Sequence, residues 1–160
     1  FVRRAELIQE LKNLGADHVF TDDDAGLEQA QATLGSEPLT LALNAVGGDS
    51  ALRLMELLSP GGAHITYGAM SRRAVKIPNR LLIFKNLEVR GYWLSRRMEH
   101  ASHAEIHDVL RPLADMMAKG SLRLPVERVY PMGEFHEALA AAKAGARAGK
   151  IVLDLRDAAV

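Results

Sequence analysis

Apolar residues recur along this chain at two alternating periods. Over 5–14, Leu7, Leu11 and Leu14 fall at helical spacing, and Gly15 follows as a natural stop. Asp17-His18-Val19-Phe20 is a short extended run closed by the acidic turn Thr21-Asp22-Asp23-Asp24, and a helix is predicted over 25–34, ending at Gly35. The run 39–46 reads as a buried strand that ends in Gly47-Gly48. Asp49 or Ser50 then caps a helix with Leu52, Met55 and Leu58 on one face, and Pro60-Gly61-Gly62 stops it. A strand over 63–67, a short helix over 81–85 and a strand over 87–93 complete this part.

The second half has a different texture. A longer helix over 103–119 carries Ile106, Leu110, Leu113, Met116 and Met117 on its apolar side and stops at Gly120. Pro112 lies within it, so a kink or break is expected there. An extended run over 126–130, an alanine-rich helix over 134–144 and a closing strand over 149–155 follow. Strands and helices of these lengths in alternation predict an α/β fold, with a parallel sheet covered on both faces. Phe1-Val2-Arg3-Arg4 reads as the stub of a strand. The expectation is therefore a truncated Rossmann-type, doubly wound sheet without its first strand. Residues 1–100 would form a partial dinucleotide-binding domain, and 101–160 a set of C-terminal helices and strands.

Composition narrows the field. Of the 160 residues 48% are hydrophobic and 25% charged, which is the make-up of a folded globular chain. Lys plus Arg equals Asp plus Glu, so no net charge draws the chain to nucleic acid or an anionic membrane. No apolar stretch is long enough to span a bilayer, and the start lacks a signal-peptide pattern. The absence of cysteine excludes disulfides and thiolate ligands within the chain. A reducing compartment, bacterial cytoplasm or mitochondrial matrix, suits these features.

Candidate chemistry clusters at strand ends. In a dinucleotide fold an acidic residue after the second strand bonds the ribose of NAD, whereas arginine accommodates the 2′-phosphate of NADP. Here the stub runs into Arg3 and Arg4, two positive charges that sit badly at a positive helix N-terminus unless a phosphate docks there. Solvated surface arginines are the alternative. Asn44-Ala45-Val46-Gly47-Gly48 and Thr66-Tyr67-Gly68-Ala69-Met70 follow successive strands, where open α/β sheets bind ligands and glycine admits close backbone approach. Each could equally be a simple turn. Gly91-Tyr92-Trp93-Leu94-Ser95 puts the only tryptophan at the next strand end, to wall a pocket, close an interface or pack in the core. His103 and His107 share a helical face, but the spacing of Glu105 is wrong for a zinc helix and a third ligand is missing, so a solvated helix start accounts for them. No metal site and no catalytic residue is assigned.

The segments over 11–19 and 41–48, the Tyr67-Gly68-Ala69-Met70 turn and, most specifically, 82–95 resemble the C-terminal half of mitochondrial-type trans-2-enoyl-CoA reductases. These belong to the zinc-independent branch of the medium-chain dehydrogenase/reductase superfamily. The resemblance implies NADPH as hydride donor and reduction of the C2=C3 bond of an enoyl thioester, in fatty acid synthesis. It assigns the 2′-phosphate grip to Arg3 and Arg4, with Ala5 where the second basic residue usually stands. It assigns the cofactor wall to Tyr67, Gly68, Ala69, Met70, Tyr92, Trp93 and Leu94, with Ala69 replacing a frequent glycine, and a further cofactor contact to Lys150. The family's catalytic tyrosine has no counterpart here. An acyl thioester is the implied substrate and a homodimer, paired through the strand near Val89, the implied assembly. The chain alone is then expected to be inactive. An NADPH quinone or alkenal reductase, a relative of zinc-type alcohol dehydrogenases, and a non-catalytic nucleotide-binding or assembly module are the competing readings.

Overall fold

Glycine and proline punctuation divides the chain into short elements, and a computed structural model, which describes residues 1–144 and 149–156, groups them into two units, Phe1–Glu99 and His100–Val160. Each unit is described by itself.

In the first unit the opening strand is reduced to one parallel bridge, Val2 with Thr21. The Val2 amide donates to Phe20 (2.8 Å) and the Asp22 amide to Val2 (2.8 Å). Among the described residues the extended run predicted over 17–20 forms no longer ladder. Helix α1 (Leu7–Asn13) follows, then α2 (Asp24–Leu34), capped by Asp23, whose carboxylate accepts from the Gly26 amide at 2.7 Å. The carboxyl of Asp23 is held below its usual range by that amide first and by the Thr21 hydroxyl next.

Strand β1 (Leu41–Asn44), helix α3 (Gly48–Leu57), strand β2 (Ala63–Thr66), helix α4 (Asn79–Ile83) and strand β3 (Glu88–Gly91) come next. The three strands form one parallel sheet in chain order. Ala42 lies opposite His64, and His64 opposite Val89. Met55, Ala51 and Leu58 from the α3 segment meet Ala42, Leu81 and Leu87 in a buried apolar cluster. That is the periodicity of Leu52, Met55 and Leu58 realised as packing. Leu41 and Leu43, on the opposite face of β1, are exposed. The expected covering of both faces is thus realised at β1 only on the α3 side. The C-terminal end of α3 is held by Lys85, whose Nζ donates to the carbonyls of Glu56 (2.7 Å) and Leu58 (2.9 Å). The Arg80 guanidinium grips the Glu56 carboxylate in two hydrogen bonds. Helix α5 (Leu94–His100), with no buried residue, has no apolar face by which the sequence could announce it.

The second unit opens with α6 (His103–Ala118) under a capping box: Ser102 accepts from the Glu105 amide and the Glu105 carboxylate accepts from the Ser102 amide. The helix continues through Pro112 without a break. No α6 residue is buried. Strand β4 (Val126–Pro131), a single 3-10 turn (Met132–Glu134), α7 (Phe135–Lys143) and β5 (Lys150–Asp154) form a βαβ unit whose two strands pair in parallel. Tyr130 and Ala138 are its buried apolar residues. The α/β pattern of parallel strands therefore holds, in two separate sheets of three and two strands.

Candidate functional site

Three successive strands of the first sheet release their chains at one edge, and the three loops are tied in series. The Tyr67 amide donates to the backbone carbonyl of Asn44 (2.9 Å), and the Tyr92 amide to that of Thr66 (2.8 Å). Past that point the loop after β2 lies on the loop after β1. The amides of Met70 and Ser71 donate to Ala45 (3.1 Å) and Val46 (2.9 Å), and the Ser71 hydroxyl donates to Val46 at 2.7 Å. Gly68 is pressed against Ala45 so closely that a Cβ would stand 2.7 Å from the Ala45 carbonyl oxygen. Gly47 (φ 80°) and Gly48 (φ 55°) turn the chain into α3 in backbone conformations that favour glycine.

The side chains this framework presents are large and uncovered. Met70 is 69% exposed and Trp93 67%, and Tyr67, Tyr92 and Leu94 are also exposed. Core packing, one reading of the tryptophan, is thereby removed. What remains is an apolar, aromatic rim at the strand ends, suited to a flat ring system. Gly68 and Ala69 lie between its two bulky members in the turn.

Arg3 and Arg4 follow the Val2 bridge. They precede α1, which starts at Leu7 with Glu6 at its N-cap, and the Leu7 amide donates to the Arg4 carbonyl at 3.2 Å. Arg4 Nε lies 3.9 Å from the Glu6 carboxylate, and the side chain of Arg3 is exposed. The acidic turn beside the Val2 bridge is tied to α3 by Arg53, which pairs with both Asp22 and Asp24. Asp22, bonded through its amide to Val2, accepts from Arg53 Nη1 at 3.0 Å, and Arg53 stands on α3 a little over a turn from Gly48. Lys150 belongs to the second unit, opening β5 opposite Val126, with its amide on the Pro125 carbonyl at 2.7 Å.

Two side chains that sequence reasoning passed over shape this site. Asn44, 2% exposed, turns its Oδ1 onto the amides of Gly47 (2.6 Å) and Val46 (3.2 Å), and its Nδ2 faces the Ser50 hydroxyl at 3.4 Å. An asparagine three residues before a glycine at a strand end is a readable signal for such a side-chain turn. Ser71 carries no comparable signal. A third, His64, lies beneath the same face of β2, fully buried, and burial pushes its pKa below the usual value.

The family model described as zinc-binding dehydrogenase matches residues 14–153. The mitochondrial enoyl-[acyl-carrier-protein] reductase of Dictyostelium discoideum is 37% identical over 150 residues, covering 93% of this chain and 43% of that protein. The Etr1p/Etr2p heterodimer, described as a mitochondrial 2-enoyl thioester reductase from Candida tropicalis, superposes with a TM-score of 0.74 at 26% identity, over 92% of this chain and 43% of the other. The Etr1p complex with NADP and crotonyl-CoA gives a TM-score of 0.75 at 26% identity, over 92% and 43% of the two chains. The chain thus spans less than half the length of these relatives.

Proposed function

We propose, from the premise that this chain belongs to the zinc-binding dehydrogenase family, that it is the cofactor-binding portion of an NADPH-dependent enoyl-thioester reductase. The observation that carries this reading is the 37% identity to a mitochondrial enoyl-[acyl-carrier-protein] reductase over 93% of the chain. The substrate class is the trans-2-enoyl thioester, and the compartment is the mitochondrion, which the names of the relatives print.

The metal in the family's description does not fit the residues present. The chain has no cysteine, and among the described residues no three His, Asp or Glu side chains gather as ligands. NADPH does fit, because an uncovered aromatic rim and an exposed arginine adjoin strand ends already knitted together by backbone hydrogen bonds. When bound, the cofactor supplies a hydride. The chain's own part is to bind and orient. Arg3 and Arg4 take the 2′-phosphate, and their charge-assisted hydrogen bonds distinguish it from a bare ribose hydroxyl. Tyr67, Gly68, Ala69 and Met70 bound one side of the nicotinamide, while Tyr92, Trp93 and Leu94 exclude water from the other. Strand β3 pairs only with β2 among the described residues, which leaves its other edge for the twofold partner of a homodimer.

Titrating NADPH and NADH against the protein and its Arg3→Ala and Arg4→Ala variants tests the reading. The unsubstituted protein is expected to prefer NADPH, and each substitution to reduce the preference by about 1.5–3 kcal/mol per lost charged hydrogen bond. Equal affinity for the two nucleotides before substitution would overturn it. This chain alone is expected to show no oxidation of NADPH with crotonyl-CoA.

A further inference from the structure

The loops at the crevice are not equal partners: one is shaped by a buried side chain, and the other is laid upon it. Asn44 Oδ1 accepts from two successive amides, Val46 and Gly47, folding the segment after β1 back over its own strand end. That fold aims the carbonyls of Ala45 and Val46 toward the 67–71 turn, where they receive the amides of Met70 and Ser71 and the Ser71 hydroxyl. Gly68 sits against the same Ala45 carbonyl, so close that a Cβ would stand 2.7 Å from its oxygen. We propose that Asn44 is a positioning residue for the 67–71 turn. It sets where Tyr67 and Met70 stand in the crevice without touching the cofactor itself.

The polar requirements of the site specify this side chain closely. The buried amide of Gly47 and the half-buried amide of Val46 need an acceptor at short range, which leucine, valine or alanine cannot provide. Asn44 also presents Nδ2 to Ser50 at the first turn of α3, which ties the same side chain to the helix that follows. Aspartate would preserve the acceptor for Val46 and Gly47 and accept from the Ser50 hydroxyl instead. Its charge would face the positive end of α3, a favourable location. Asn44→Asp is therefore the conservative variant, and Asn44→Ala the disruptive one.

The role in cofactor binding rests on the reading of the 67–71 turn as a cofactor wall, and the experiment separates the two claims. Amide hydrogen exchange is measured by NMR on the protein and on Asn44→Ala, Asn44→Asp and Ser71→Ala. In Asn44→Ala, exchange at Val46, Gly47, Met70 and Ser71 is expected to accelerate by about tenfold or more, the equivalent of one ordinary hydrogen bond. Exchange of the β3 amides should stay unchanged, and Asn44→Asp should restore the pattern. Ser71→Ala should loosen Met70 and Ser71 while Val46 and Gly47 stay protected. That asymmetry is the signature of one loop resting on the other.

NADPH affinity should fall about tenfold in Asn44→Ala and recover in Asn44→Asp, a rescue that general destabilisation would not give. Unchanged protection at Met70 and Ser71 in Asn44→Ala overturns the proposal. If Asn44→Ala does not fold, equal loosening of both loops in Ser71→Ala overturns it by itself. Failure of the unsubstituted protein to bind NADPH overturns the proposed function, while the exchange pattern still decides the role of Asn44.

Discussion

His64 occupies the middle of β2 with 0% of its surface exposed, and neither ring nitrogen has a hydrogen-bond partner among the described residues. Its strand neighbours in register are Ala42 and Val89, and the apolar cluster of Met55, Leu58 and Leu81 belongs to the same layer. A neutral imidazole carries one donor and one acceptor nitrogen. Each polar group left unmet in the interior costs about 1–3 kcal/mol. Leucine would remove both groups and fill similar space, with a repacking cost of about 1–3 kcal/mol at most for its different shape. His64→Leu is therefore expected to stabilise the protein by about 1–3 kcal/mol, which raises the melting temperature by roughly 2–4 °C per kcal/mol for a chain of this size.

The same residue sets a pH dependence whose sign is fixed. Desolvation lowers the His64 pKa below its reference of 6.5, against a smaller opposing contribution from its own backbone. Below that reference the unfolded chain takes up a proton that the folded chain resists. The stability is fully present above pH 6.5 and is lost as the pH falls beneath it. At one unit below, the loss from this one group is at most about 1.4 kcal/mol. The other five histidines are exposed and unchanged in the variant, so the comparison isolates His64. Urea unfolding of both proteins at about pH 8 and about pH 5.5 reads the effect. The gap in favour of His64→Leu should widen toward acid. A variant less stable at the higher pH, or one with the same acid slope, would refute the argument.

Two further substitutions test the scaffold beneath the site. Lys85→Met removes both hydrogen bonds to the last carbonyls of α3, those of Glu56 and Leu58, and should lower the urea unfolding free energy by about 1–3 kcal/mol. Gly68→Ala places a methyl 2.7 Å from the Ala45 carbonyl oxygen and should cost about 1–3 kcal/mol, whereas Gly91→Ala, with nothing within 4 Å, should stay within about 0.5 kcal/mol; thermal unfolding distinguishes them.

Much of this fold is legible because its signals are local. The helical spacing of Leu52, Met55 and Leu58 names the face of α3 that packs, and Gly47-Gly48 and Pro60-Gly61-Gly62 mark its ends. Ser102 and Glu105 announce the start of α6 within four residues. Strand ends bearing glycine point to the crevice for the same reason, since the turn that makes the crevice is written beside the strand. Elements without a buried face leave no such trace. Helix α5 buries nothing, so no apolar period betrays it. The helix through Pro112 shows the converse: of the kink or break that a local breaker signal predicts, the break is overridden by the longer helical pattern.

The supports of the site were hidden for a different reason. Ser71 reaches Val46 across 25 positions, and Lys85 reaches Leu58 across 27, so neither residue's partner can be inferred from its neighbours in sequence. His64 looks like one polar residue in an ordinary strand, and only the assembled fold makes it buried, with neither ring nitrogen partnered among the described residues. Asn44 stands between these cases. Its acceptor contacts lie within three residues and could be foreseen, but their importance depends on the loop from the next strand that settles onto them. A crevice of this kind is thus announced by the residues that turn the chain, while its rigidity is supplied by residues whose partners come from other strands. The rim residues Tyr67, Met70 and Trp93 are exposed, and among the described residues no hydrogen bond fixes their side chains. Their placement depends on that concealed framework, which is why substitutions at Asn44 and Gly68 probe the site more directly than trimming the rim would.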